Sequence, residues 1–210
     1  LSRLHCDFVV MAVGYVPTYQ LAAQAGGKLS YDDAFAIFSI DQLPDNCLIA
    51  GSVNGFWDID DVINDGVRAA QEALPHQKFT GEVEPSRAKD EAINFPWPIF
   101  THSKGKEFVD FDEDLQIADI VNATRDGYEH IQLVKRYSTA GMGPSQGRHS
   151  ALTVARLVAD ATGKSVADTG VTTARPPFAA EQLAHTAGRG FFLARRSSIH
   201  HRHLELGAVM

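Results

Sequence analysis

The sequence predicts a mixed α/β chain, and three observations carry that reading. Two short apolar runs, residues 7–13 and 47–50, are each closed at once by a glycine, Gly14 and Gly51, as buried strands are. A helical pattern over 58–74 with an acidic first turn follows the second run. Farther on, three short helical patterns surround a turn that holds Gly141, Gly143, Pro144 and Gly147.

Taken in order, residues 14–17 form a turn, and 19–25 a short helix stopped by Gly26 and Gly27. Residues 28–40 alternate weakly and suit a hairpin carrying Phe35, Ile37 and Phe38. Asp58, Asp60 and Asp61 place negative charge at the start of the long helix, where its dipole favours it. Val62, Gly66, Ala69, Ala70 and Ala73 fall on the expected inward face. Residues 75–100 hold four of the nine prolines and read as a linker, up to about 107. Within it the run 93–98 is stiff and apolar on one side, suited to lying on a neighbouring surface.

The stretch 108–164 has its own logic. Asp112 or Asp114 can cap a helix whose apolar positions are Leu115, Ile117, Ile120, Val121 and Thr124, with Gly127 as its stop. A second helix over 131–137 turns Ile131, Val134 and Leu133 inward, with Lys135 and Arg136 outward. The glycines and proline of 139–148 break regular structure. A third helix over 148–161 buries Leu152, Ala155, Val158 and Ala159, and Gly163 lies beyond its end. Residues 165–170 make one helical turn. Residues 172–178 are extended, because Arg175 precedes Pro176 and Pro176 precedes Pro177. A small helix is expected over 181–187, ended by 188–190, and 191–206 is expected to enter a strand.

Two resemblances attach to these residues. The order strand, Gly14-x-x-Pro17 turn, strand, Ala50-Gly51 and long helix resembles the closing half of a disulfide-reductase type of dinucleotide-binding domain. A glycine at a strand end lets backbone approach a phosphate or sugar, beside a helix N-terminus. The resemblance implies Gly14, Pro17, Gly51, Ser52 and Val53 as cofactor-binding residues. Flavin-binding relatives carry an aspartate where Ser52 stands, so a nicotinamide dinucleotide is expected in preference to FAD. The Gly-x-Gly-x-x-Gly fingerprint of such domains is absent from this sequence.

Residues 108–150, with VDFDED in front and LVKRYSTAGMGPSQGRHS behind, resemble the small two-iron, two-sulfur domain of amino-acid and opine oxidase subunits. On that pattern Asp110, Asp112, Ala140 and Ser145 occupy the four cysteine positions. Such clusters are held by thiolates, so no iron–sulfur cluster is expected. The cluster-free version resembles the alpha subunits of heterotetrameric sarcosine oxidases, and the likeness continues through 173–178 and 200–206. That resemblance implies a complex with beta, gamma and delta subunits that oxidatively demethylates sarcosine to glycine. The one-carbon unit passes to tetrahydrofolate, and hydrogen peroxide is released. It implies NAD in the full subunit, FAD and FMN on or beside the partner subunit, and tetrahydrofolate in a downstream aminomethyltransferase-like domain that residues 165–210 begin to enter. On this reading residues 1–74 end the dinucleotide domain and the chain is an internal fragment. The alternatives are a subunit of an opine, proline or hydroxyproline dehydrogenase, and a non-catalytic scaffold.

A net charge of −7 argues against a nucleic-acid surface, which needs clustered positive charge. No apolar run reaches membrane-spanning length, so no membrane partner is expected. Two cysteines are too few for a disulfide framework, and a cytoplasmic setting is the default expectation. Cys6 and Cys47 read as small core residues. His200, His201 and His203 could ligate a metal, but they lack a carboxylate or cysteine at metal-site spacing, and a solvated or interface strand is favoured. Lys135, Arg136 and Arg148 could receive a phosphate, against a structural role at a subunit contact. Asp110, Asp112 and Asp114 lack a glycine-bearing calcium loop and read as caps. Ser145 has no Gly-x-Ser-x-Gly surroundings and reads as a cap as well. No catalytic constellation emerges.

Overall fold

Asp32 turns the first hairpin: its Oδ1 accepts the N–H groups of Ala34 at 2.9 Å and Phe35 at 3.2 Å. These details come from a computed structural model, which describes residues 4–8, 10, 14–76, 104–182 and 198–207. The hairpin joins β1 (Lys28–Asp32) to β2 (Ile37–Gln42), antiparallel, with Leu29 opposite Ile40 and Tyr31 opposite Phe38. Before it lies α1 (Gln20–Gln24), as expected, followed by Gly26 at φ +109°. Tyr19 and Phe38 form a small core with Ala155 from the far end of the sequence.

Neither apolar run is a strand over its described residues. Asp7, Phe8 and Val10 are irregular and exposed, and the rest of 7–13 lies outside the described residues. Residues 47–50 are unpaired, and Leu48 is exposed. An apolar run becomes a strand only where another strand takes up its backbone groups; among the described residues the two sheets are two-stranded and antiparallel. One carbonyl of the run, that of Ile49, is taken by Arg68 Nη2 at 3.2 Å.

After a 3₁₀ turn at Gly51–Asn54 comes α2 (Ile59–Ala73), whose cap Asp58 accepts the N–H of Asp60 at 2.9 Å. Its expected inward face is corrected. Val62, Gly66, Ala69 and Ala70 are half-buried and Ala73 is exposed, while the one fully buried side chain is that of Asp65. The run 93–98 lies outside the described residues.

The helical module begins with a short hairpin, β3 (Phe108–Asp110) and β4 (Leu115–Gln116), and continues through α3 (Ile117–Arg125), α4 (Ile131–Ser138) and α5 (Ala151–Thr162). The cap of α3 is Gln116 in a capping box with Asp119, not Asp112 or Asp114. The carboxylate of Asp119 accepts the Gln116 N–H at 2.8 Å, and the earlier aspartates belong to the turn before. Ile120, Ala123, Ile131, Val134, Val154, Leu157 and Val158 fill the core. Leu133 is 42% exposed, against the inward position expected for it, because α4 turns Ile131 and Val134 to the core. On α5 Leu152 is only half-buried, and the buried set includes Val154, Arg156 and Leu157.

The helical turn α6 (Val166–Thr169) follows, as expected, and 172–178, expected to be extended, is irregular. The chain divides into units Leu1–Phe178 and Ala179–Met210. In the second unit, most of 181–187 lies outside the described residues. The strand expected through 206 is instead a helix, α7 (His200–Glu205), with Arg202 Nη1 2.9 Å from Glu205 Oε2. A helix satisfies its own backbone, whereas a strand there needs a neighbour. No helix among the described residues is long and apolar enough to cross a membrane.

Candidate functional site

The turn at Gly51 is built around Asp65. Its Oδ2 accepts the Gly51 N–H at 2.8 Å, its Oδ1 lies 2.7 Å from Arg68 Nε, and Asn54 Nδ2 donates to both oxygens. Gly51 sits at φ +71°, and a Cβ there would lie 3.1 Å from Val62 Cγ1, so this approach of turn to helix requires glycine. Tyr15 and Trp57 place their ring centroids 5.5 Å apart, which brings the 14–17 turn to the 51–57 turn. Gly14 and Ser52 are exposed, Pro17 is buried, and Val53 is half-buried in an open apolar cleft with Leu21, Leu48 and Ile49, about 270 Å³ in volume.

A dinucleotide fits these residues in part. The Gly51 N–H is committed to Asp65, and the α2 end is already capped by Asp58, with Asp60 and Asp61 adding negative charge. That end does not suit a pyrophosphate. What remains for a ligand is the exposed Ser52 hydroxyl and the apolar cleft at Val53, which suit a sugar and a ring.

The four positions matched to cluster cysteines are tied together. Asp110 is buried, and its Oδ2 accepts the Gly141 N–H at 2.7 Å and the Ser150 hydroxyl at 3.1 Å. Asp112 Oδ2 accepts the Ser145 N–H at 2.7 Å. Hydrogen bonds from the Ser145 side chain and backbone hold the Asp112 carboxyl below the usual carboxylate range, helped by His149 and Arg148. Ala140 is buried in the module core. Two carboxylates thus fasten the glycine turn by its N–H groups, which is hydrogen bonding that charge strengthens. A Cβ on Gly143 would collide with that of Asp112.

Arg148 has a structural place, its Nε donating to Ser145 O at 3.1 Å and its guanidinium 4.8 Å from the Phe178 ring. Lys135 and Arg136 instead share a cleft with Arg175, a residue the sequence reading passed over as backbone in an extended stretch. His200, His201 and His203 belong to no metal-holding group among the described residues. Cys6 is exposed and not a core residue, and Cys47 is half-buried. Sequence reasoning also missed Asp65; an aspartate on an expected inward face was the available signal.

Residues 104–189 match the family model described as the sarcosine oxidase A3 domain. The chain is 34% identical over 215 residues to the sarcosine oxidase subunit alpha of Rhizobium meliloti (strain 1021), covering 97% of the chain and 21% of that protein. It is 30% identical to the subunit alpha of Corynebacterium sp. (strain P-1), covering 99% of the chain and 23% of that protein. The chain therefore spans about a fifth of the length of these curated relatives. Among solved structures, the L-proline dehydrogenase from P. horikoshii is similar in fold, with TM-score 0.64 and 21% identity, over 82% of this chain and 37% of that one.

Proposed function

We propose that this chain, which belongs to the sarcosine oxidase alpha-subunit family, is the part of such a subunit that joins its nucleotide-binding region to its later domain. The full complex, with beta, gamma and delta subunits, oxidises sarcosine, passes the one-carbon unit to tetrahydrofolate and releases glycine and hydrogen peroxide. FAD and FMN sit on or beside the partner subunit, and tetrahydrofolate binds a later domain of the alpha subunit. The complex works in the cytoplasm. The observation that carries the reading is the likeness to two alpha subunits over nearly the whole chain.

Within it, Gly14, Pro17, Gly51, Ser52 and Val53 border an NAD site in the full subunit. The Gly51 turn, fixed by Asp65, presents Ser52 and Val53 toward the sugar and ring, and other parts of the subunit hold the phosphates. NAD supplies hydride-transfer chemistry where bound; these residues only position it. The module carries no iron–sulfur cluster, because carboxylates, an alanine and a serine stand at the ligand positions. The test is to purify the full complex, assay sarcosine-dependent peroxide release, and identify the nucleotide freed from the alpha subunit on denaturation. Sarcosine turnover and released NAD are expected. A complex inert toward sarcosine overturns the reaction, and released FAD overturns the cofactor assignment.

A further inference from the structure

Asn54 is the only asparagine in the sequence followed by glycine; Asn46, Asn64, Asn94 and Asn122 precede residues that carry a Cβ. A glycine in that place leaves the next backbone nitrogen uncrowded and its dihedrals free. Asn54 closes the 3₁₀ turn at Gly51–Asn54, and Gly55 follows at φ +87°. Both are half-buried, and Asn54 lines an open cleft of about 260 Å³ with Leu48, Ile49 and Arg68, so water reaches it.

The folded turn keeps the two residues from reacting. Asn54 Nδ2 donates to Asp65 Oδ2 at 3.2 Å and to Oδ1 at 3.4 Å, and the Gly55 N–H donates to the Ser52 carbonyl at 3.1 Å. Ring closure breaks both sets of bonds, since the amide must turn toward the Gly55 nitrogen and that nitrogen must lose its proton.

We propose that Asn54 is a site of spontaneous deamidation, restrained by Asp65, and that its acidic product loosens the Gly51 turn. With its proton lost to water, the Gly55 nitrogen attacks Asn54 Cγ. The new C–N bond closes a succinimide, and the side-chain nitrogen leaves as ammonia with a proton returned by water. Water then opens the ring at either carbonyl, leaving aspartate or isoaspartate; the net change is amide plus water to carboxylate plus ammonium. The aspartate sets a carboxylate where a donor stood, 3.2 Å from Asp65 Oδ2, and isoaspartate lengthens the backbone of the turn by a methylene. Like charges at that distance oppose each other's ionisation. Oδ2 is also the oxygen that holds the Gly51 N–H at 2.8 Å, so that bond bears the strain, while Arg68 Nε stays with Oδ1 at 2.7 Å. The proposal stands apart from the reaction and the nucleotide assigned above.

The experiment ages the purified full complex in mildly alkaline buffer and follows the peptide carrying residue 54 by mass spectrometry. Conversion of that amide to acid is expected, faster as pH rises, while Asn46, Asn64 and Asn122 stay amides. The urea-unfolded complex should convert about tenfold faster or more, the factor that one hydrogen bond to a charged acceptor supplies. Asp65→Ala should recover much of that acceleration in the folded complex. Hydrogen exchange of the peptide containing Gly51 should quicken with age, quicken likewise in fresh Asn54→Asp, and hold steady in aged Asn54→Gln, whose longer side chain closes a ring far more slowly. An Asn54 that stays an amide while the unfolded complex converts overturns the proposal, as does Asp65→Ala converting no faster than wild type. Should Asp65→Ala fail to assemble, Asn54→Asp decides: exchange at Gly51 equal to that of wild type overturns the proposal.

Discussion

Asp112 shows how one residue type was recognised in the sequence while its task was not. Its position before a helix suggested a cap, yet its carboxylate reaches 33 residues along the chain to the Ser145 N–H. No local pattern announces a bond of that span. Its folded carboxyl is held low, so its contribution is complete above the ordinary value of 3.8 and is lost as pH falls through the lower folded value. Thermal melts of wild type and Asp112→Asn should therefore converge in strong acid and separate above it. Tyr19 gives the opposite end of the scale. Burial pushes its phenol up to about 12, so its contribution is present below 10.0 and is lost as pH rises toward that folded value. Tyr19→Phe should abolish that alkaline component of the melting curve. Asp65 is the costliest of the three to remove. Asp65→Ala strands the buried Gly51 N–H and removes the carboxylate shared by Asn54 and Arg68, and should lower stability by about 1–3 kcal/mol in denaturant melts.

At the scale of elements, α1, the first hairpin, α4 and α6 were legible because their signals are local: spacing, a turn aspartate, a stopping glycine. The run at 47–50 and the strand near 206 were misread for one shared reason. Apolar content marks a strand only when a neighbouring strand is supplied, and that neighbour is a tertiary fact. The module core tests the packing directly. Ile120 is fully buried between α3 and α5, and Ile120→Ala should cost about 2–5 kcal/mol in the same measurement. The glycine turn is tested by Gly143→Val, whose added carbons meet Asp112. That variant should break the Asp112–Ser145 clasp and loosen subunit association in sedimentation, with the nucleotide content unchanged; an intact assembly that has lost its nucleotide would place the turn in the nucleotide site.

For the whole molecule, the absence of cysteine from positions 110, 112, 140 and 145 was readable from sequence, and the carboxylate clasp formed there was not. Iron and acid-labile sulfide in the purified complex should stay at background in the α-subunit. Only folded contacts reveal how the first hairpin joins the module. Arg156, on α5, is buried to 1% exposure and donates from Nη2 to the Ala36 carbonyl at 2.8 Å, at the bend of the hairpin 120 residues earlier. Its Nε has no hydrogen-bond partner among the described residues. Pulling the hairpin away would hydrate that guanidinium but expose Tyr19, Phe38 and Ala155 together. The consequence is that the backbone between residues 77 and 103 is dispensable for keeping the two ends together. A protease nick in that interval should leave two peptides that co-elute on gel filtration and part only in denaturant, and separately expressed halves should recombine.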